Sequence, residues 1–163
     1  MSERLTALRA SQDHLESVAA SLDSANYTAP AYPREWTVAD TFSHLGSGAV
    51  IGRRNVTDYL SGEERPADFN AGVWDEWNAK DPSAQVHDAL TSSAAYLETL
   101  EGTTEEQRRG YEMAFGPHRF DFDGVLGLRL GEQVLHTWDI EVPFAPSATL
   151  DEVAAGLILE RVG

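Results

Sequence analysis

Leu5, Leu8, Leu15, Val18 and Leu22 recur near helical spacing across Glu3 to Leu22, which predicts an amphipathic first helix. Pro30 and Pro33 mark Ala25 to Trp36 as a loop. Thr37 followed by Val38-Ala39-Asp40 reads as a capping box, with Asp40 in the place usually taken by Glu. Trp36, just before that cap, is placed to staple onto the first turn. The apolar pattern then runs through Phe42, Leu45, Val50, Val56 and Leu60 until Gly62 and Pro66 stop it, a long second helix.

Residues 62–82 read as a connection with a short helical stretch carrying Phe69, Val73, Trp74 and Trp77. Asp81-Pro82 is a helix opening, an acidic cap followed by proline at the first position. The third helix continues past Val86, Leu90, Tyr96, Leu97 and Leu100 to Gly102. A second long connection spans residues 103–122, turning at Gly116-Pro117. The fourth helix starts after Asp121 or Asp123 and runs to about Val142, where Pro143 ends it.

Thr149 and Glu152 form a further capping box ahead of the apolar run Ala154 to Leu159. Four long helices, two long connections and no strand alternation predict an all-α helical bundle. Its bounds are residues 1–145, with residues 146–163 a C-terminal helical segment. The apolar face of that segment calls for a partner and is expected to open a second domain.

The 163 residues suit one core able to fold unaided. No apolar run approaches the roughly 20 residues needed to cross a bilayer, and the N-terminus MSERLTALRA lacks an apolar leader core, which favours the cytoplasm. A formal charge of −15 repels phosphate backbones and anionic lipid, so nucleic acid and membranes are poor partners. The absence of cysteine changes the chemistry most. It removes disulfides and thiolate metal sites, leaves nitrogen and oxygen as ligands, and requires any thiol to come from outside.

Chemistry concentrates on the fourth helix. Arg129, Glu132, His136 and Asp139 are three, four and three residues apart and share one face. The helix is apolar over much of its girth, so this polar stripe is expected to look into the bundle or a cleft. A carboxylate and an imidazole at i and i+4 can grip one metal ion, because both lean over the same turn. A third ligand must come from another helix, and His44, four residues after Asp40, is the best candidate.

Taken alone, the Glu–His pair is explained about as well by a polar contact on a helix surface. Asp40 is already accounted for as a cap. His14 and His87 lie in polar stretches of amphipathic helices, and His118 in a surface loop.

The stretch Trp36-Thr37-Val38-Ala39-Asp40-Thr41-Phe42-Ser43-His44-Leu45, followed by Arg129, Glu132 and His136-Thr137-Trp138-Asp139, resembles the mycothiol-dependent maleylpyruvate isomerase family. Its metal-binding domain belongs to the DinB/YfiT-like superfamily of four-helix bundles. The resemblance implies that His44, Glu132 and His136 hold a divalent ion, usually zinc, with one position open for water or a thiol. It also implies mycothiol or another low-molecular-weight thiol as co-substrate, deprotonated at the metal. In the isomerase the thiolate adds to a cis double bond, the resulting single bond rotates, and elimination leaves the trans product. Related members transfer the thiol to a small electrophile instead.

On this reading Arg129 and Asp139 support catalysis. Asp139 would orient His136, and Arg129 would orient Glu132 or pair with a substrate carboxylate. An intrahelical salt-bridge network is the open alternative for both. Isomerase-type members often carry a C-terminal α/β domain that helps to enclose substrate, and this chain is expected to end too early for one. The −15 charge disfavours a dianionic substrate such as maleylpyruvate unless local arginines offset it. The rival reading is a non-catalytic metal- or small-ligand-binding bundle, a sensor or accessory module. Zinc, nickel, iron and manganese all accept this ligand set, and monomer and homodimer both stay open.

Overall fold

Local capping sets most of the helix starts. In the computed structural model, which describes residues 2–160, Ser2 Oγ accepts the Leu5 amide at 3.3 Å and opens α1 (Glu3–Ser21). A short 3-10 turn, Ser24–Thr28, follows. Thr37 and Asp40 cap α2 (Val38–Ser61) reciprocally: Asp40 N–H donates to Thr37 Oγ1 at 3.1 Å, and Thr37 N–H to Asp40 Oδ2 at 2.9 Å. The 62–82 connection contains α3 (Phe69–Asn78). Asp81 and Pro82 open α4 (Pro82–Glu101), with Asp81 Oδ1 accepting the Ala84 amide at 3.0 Å.

The second connection is more ordered than its sequence predicts. Its first part is α5 (Glu105–Arg109), and its second an antiparallel hairpin of β1 (Met113–Phe115) and β2 (His118–Phe120), with Met113 opposite Phe120. Gly116, at φ +58°, makes the hairpin turn. Strands of three residues are too short to show alternation in sequence. Asp121, not Asp123, caps α6 (Phe122–Glu141), accepting the Gly124 amide at 2.8 Å. The last cap is shifted: Asp151 rather than Thr149 receives the Ala154 amide and opens α7 (Glu152–Leu159).

The bundle proper is α1, α2, α4 and α6, with α2 laid chiefly on α4 and α1 on α6. One core cluster gathers Leu5, Leu8, Val56, Tyr96, Leu100, Leu126 and Leu130, joined by Ala154 and Leu157 of α7. A second gathers Leu15, Val18, Phe42, Leu45, Trp77, Val86 and Ile140. The second lies where α2 begins and α6 ends, so His44, next to Leu45, comes level with the C-terminal half of α6. No helix among the described residues is long and apolar enough to cross a membrane.

Candidate metal centre

His44 projects from α2, and Glu132 and His136 from successive turns of α6. Their ligand atoms lie within 4.8 Å of one another. His44 Nε2 stands 2.9 Å from Glu132 Oε2, and His136 Nε2 stands 3.6 Å from the same oxygen. Zinc bonds of about 2.0–2.1 Å in tetrahedral array place neighbouring ligand atoms roughly 3.3–3.5 Å apart, between the two observed spacings. Two imidazoles and a carboxylate form a borderline nitrogen–oxygen donor set suited to a divalent transition ion. The residues fit the group.

The site lies at a rim rather than in the bundle interior. The Glu132 side chain is 52% exposed, His44 40% and His136 23%. At this level the interior is occupied instead by Leu15 and Val18 of α1, packed with Leu45 and Ile140.

Asp139 stands behind His136, its Oδ2 2.9 Å from His136 Nδ1. A carboxylate there keeps a proton on Nδ1 and orients the ring so that Nε2 faces the site, where it donates to Glu132 when protonated and would offer its lone pair to a bound ion. Hydrogen bonds from His136 and then His44 hold the Glu132 carboxyl well below the usual carboxylate range. In return the Glu132 bond, followed by that of Asp139, raises His136 above its ordinary value despite partial burial.

Arg129 shares the stripe by spacing but not by environment. It is buried, donating from Nη1 to the Leu45 carbonyl at 3.2 Å and from Nη2 to Ser93 Oγ at 2.8 Å, with its guanidinium 5.7 Å from the Tyr96 ring centre. Its hydrogen bonds run to α2 and α4, not to Glu132. Burial lowers its pKa from 12.5 to about 10. The single polar face predicted for Arg129, Glu132, His136 and Asp139 therefore divides: α2 and α4 cover its first residue, and the other three stand at the rim.

Asp40 is engaged as a cap. His14 pairs with Glu141 at 2.9 Å, His87 is exposed, and His118 lies in β2, its ring tilted against that of Phe120. Trp36 is the residue whose place spacing did not reveal. Its ring lies against both imidazoles, centroid to centroid 5.3 Å from His44 and 6.0 Å from His136. The one sequence signal was an aromatic residue directly before the cap of the helix that bears His44.

The sequence profile of the family described as mycothiol maleylpyruvate isomerase N-terminal domain matches residues 8–141. Two crystal structures share the fold, one of the mycothiol-dependent maleylpyruvate isomerase and one of a histidine-to-alanine mutant of it. They superpose with TM-scores of 0.77 and 0.78, each at 18% identity. Each superposition covers 98% of this chain and 66% of that one, so the chain spans just under two thirds of their length. At that identity the likeness speaks for the fold alone. No curated protein matches the chain.

Proposed function

The chain belongs to the mycothiol maleylpyruvate isomerase N-terminal domain family, and from that membership we propose that it is a metal- and thiol-dependent enzyme. Its reaction is cis-trans isomerisation of a small electrophile such as maleylpyruvate, or transfer of the thiol to one. Mycothiol or a related low-molecular-weight thiol is the co-substrate. The observation that carries this reading is the convergence of His44, Glu132 and His136 at an exposed rim, with Asp139 behind His136.

Those three side chains would hold the ion, zinc being the one that the family resemblance implies and that two imidazoles and a carboxylate suit. When bound, a divalent ion supplies the acidity that makes a thiol a nucleophile at neutral pH. Asp139 fixes the tautomer of His136 and aims Nε2 at the site. The exposure of Glu132 and His44 leaves an approach for both thiol and electrophile. Arg129 acts at a distance: by tying the Leu45 carbonyl to α6 it sets the height of the adjacent His44.

The test is thiol-dependent turnover of zinc-loaded protein, followed by the loss of maleylpyruvate absorbance in the presence of mycothiol. Turnover that needs both thiol and zinc, and that disappears in His136→Ala, is the expected result. Zinc retained with no turnover against a panel of electrophiles would refute catalysis and leave a metal-binding module.

A further inference from the structure

The loop between the 3-10 turn and α2 is tied down at several points. Ala31 N–H donates to the Trp36 carbonyl and Val38 N–H to the Ala29 carbonyl, each at 2.9 Å, and Pro30 pairs with Thr37 as an antiparallel bridge. These bonds close residues 29–38 into a narrow hairpin-like strap that ends in the Thr37 cap. At its tip Tyr32 N–H donates to the Asp139 carbonyl of α6 at 2.9 Å, and the Tyr32 ring packs edge-on to Trp138 at 4.9 Å.

A helical carbonyl is normally taken by the amide four residues on. For Asp139 that residue is Pro143, which has no N–H. The proline thus does more than end α6: it leaves the Asp139 carbonyl free to accept the strap. Asp139 then serves twice, its carbonyl latching the loop and its carboxylate holding His136 Nδ1 at 2.9 Å. At the other end of the strap the Trp36 ring covers the two imidazoles, which meet each other at 4.7 Å and 74°.

We propose that residues 29–38 are a positioning strap for the metal site, with Trp36 the positioning residue for His44 and His136 and Pro143 the residue that allows the strap to latch. The inference rests on the metal-site reading and adds to it a reason why two imidazoles on different helices keep their relation without an ion. It also assigns one face of the imidazole pair to the Trp36 indole, which closes that face to ligands.

The test compares zinc affinity, by competition with a chromophoric chelator, in wild type, Trp36→Ala, Trp36→Phe and Pro143→Ala. Partners outside the ligand set typically change metal affinity 10- to 100-fold, so Trp36→Ala is expected to weaken zinc binding at least about tenfold. Trp36→Phe, which keeps an aromatic face, restores most of the loss. Pro143→Ala supplies an amide that competes for the Asp139 carbonyl. It should weaken zinc binding without touching a ligand, and in ion-free protein the Tyr32 amide should exchange about tenfold faster.

Circular dichroism identifies a variant that has lost its helices; if Trp36→Ala does so, Pro143→Ala decides the matter, and wild-type affinity and Tyr32 exchange there would overturn the proposal. Wild-type affinity in both Trp36→Ala and Pro143→Ala, with Tyr32 exchange unchanged, would overturn the proposal. Failure of the wild type to bind zinc would instead overturn the metal-site reading. The strap would then stand or fall on Tyr32 exchange alone.

Discussion

Gly46 lies two residues after His44, on the face of α2 that meets α4. A Cβ placed there would sit inside the van der Waals envelope of the Trp77 ring and 2.9 Å from the Ala89 Cα. Ordinary carbon contacts are about 3.5–4.0 Å, so Gly46→Ala requires α2 and α4 to part or Trp77 to move. Neither is easy. Trp77 is buried, its carbonyl accepts from Ser43 at 3.3 Å and Gln85 at 3.2 Å, and the Ala89 contact is backbone.

Overpacking of this kind costs about 1–3 kcal/mol, while replacing a helical glycine by alanine returns up to about 1 kcal/mol. With ring and backbone both in the way the upper part of that range applies, for a net loss of about 2 kcal/mol. For a domain of this size that lowers Tm by about 4–8 °C. Gly72→Ala, on the exposed side of α3 with nothing within 4 Å, is the control and should gain stability. Thermal unfolding followed by circular dichroism gives both values, and chelator competition shows whether a displaced His44 weakens zinc binding in Gly46→Ala alone. A Gly46→Ala protein as stable as the Gly72→Ala control would refute the close approach of α2 to α4.

Asp139→Asn, which is nearly isosteric, should weaken zinc binding about 10- to 100-fold with helicity unchanged; equal affinity in chelator competition would contradict the role given to its carboxylate. Arg129→Met should leave stability within about 1 kcal/mol of wild type or raise it, because it removes a buried cation with no carboxylate partner. Arg129→Ala also leaves a cavity and should cost about 2–4 kcal/mol, both values being read from urea unfolding. Burial holds Tyr96 above its ordinary value and pushes Tyr111 up to about 12. A tyrosine pKa raised on folding contributes stability below its unfolded value of 10.0, and that contribution fades as pH rises through the folded value. Alkaline titration should therefore show part of the tyrosinate absorbance missing between about pH 10 and 12 until denaturant is added; full absorbance in folded protein would contradict it.

The features legible in the sequence are those decided locally. Thr37 with Asp40, and Asp81 with Pro82, open their helices through bonds spanning three residues, so the sequence alone locates them. The four long amphipathic patterns likewise carry the all-α bundle. The hairpin at 113–120 was not legible, because three-residue strands carry too little alternation and only Gly116 marks the turn. Thr149 and Asp151 are both competent caps two residues apart, and the packing of Ala154 and Leu157 against the core favours the frame that starts from Asp151.

At the candidate site, spacing places Arg129 on the stripe of Glu132 and His136 but says nothing about depth. Depth depends on Leu45 and Ser93, which belong to other helices. The place of Trp36 depends on a loop closed by Ala29, Ala31 and Tyr32, a tertiary arrangement without periodicity. The loop's anchor does leave a local trace in Pro143, four residues after Asp139, which removes the usual partner of that carbonyl.

The central claim is that His44, Glu132 and His136 form one metal site spanning α2 and α6, and elemental analysis of untagged protein tests it most directly when run beside His44→Ala. The account predicts about one divalent ion per wild-type chain and a clear loss in the variant, since two ligands on one helix do not complete a site. Wild type without metal even after zinc is supplied, or a His44→Ala protein that binds zinc as tightly as wild type, would contradict it.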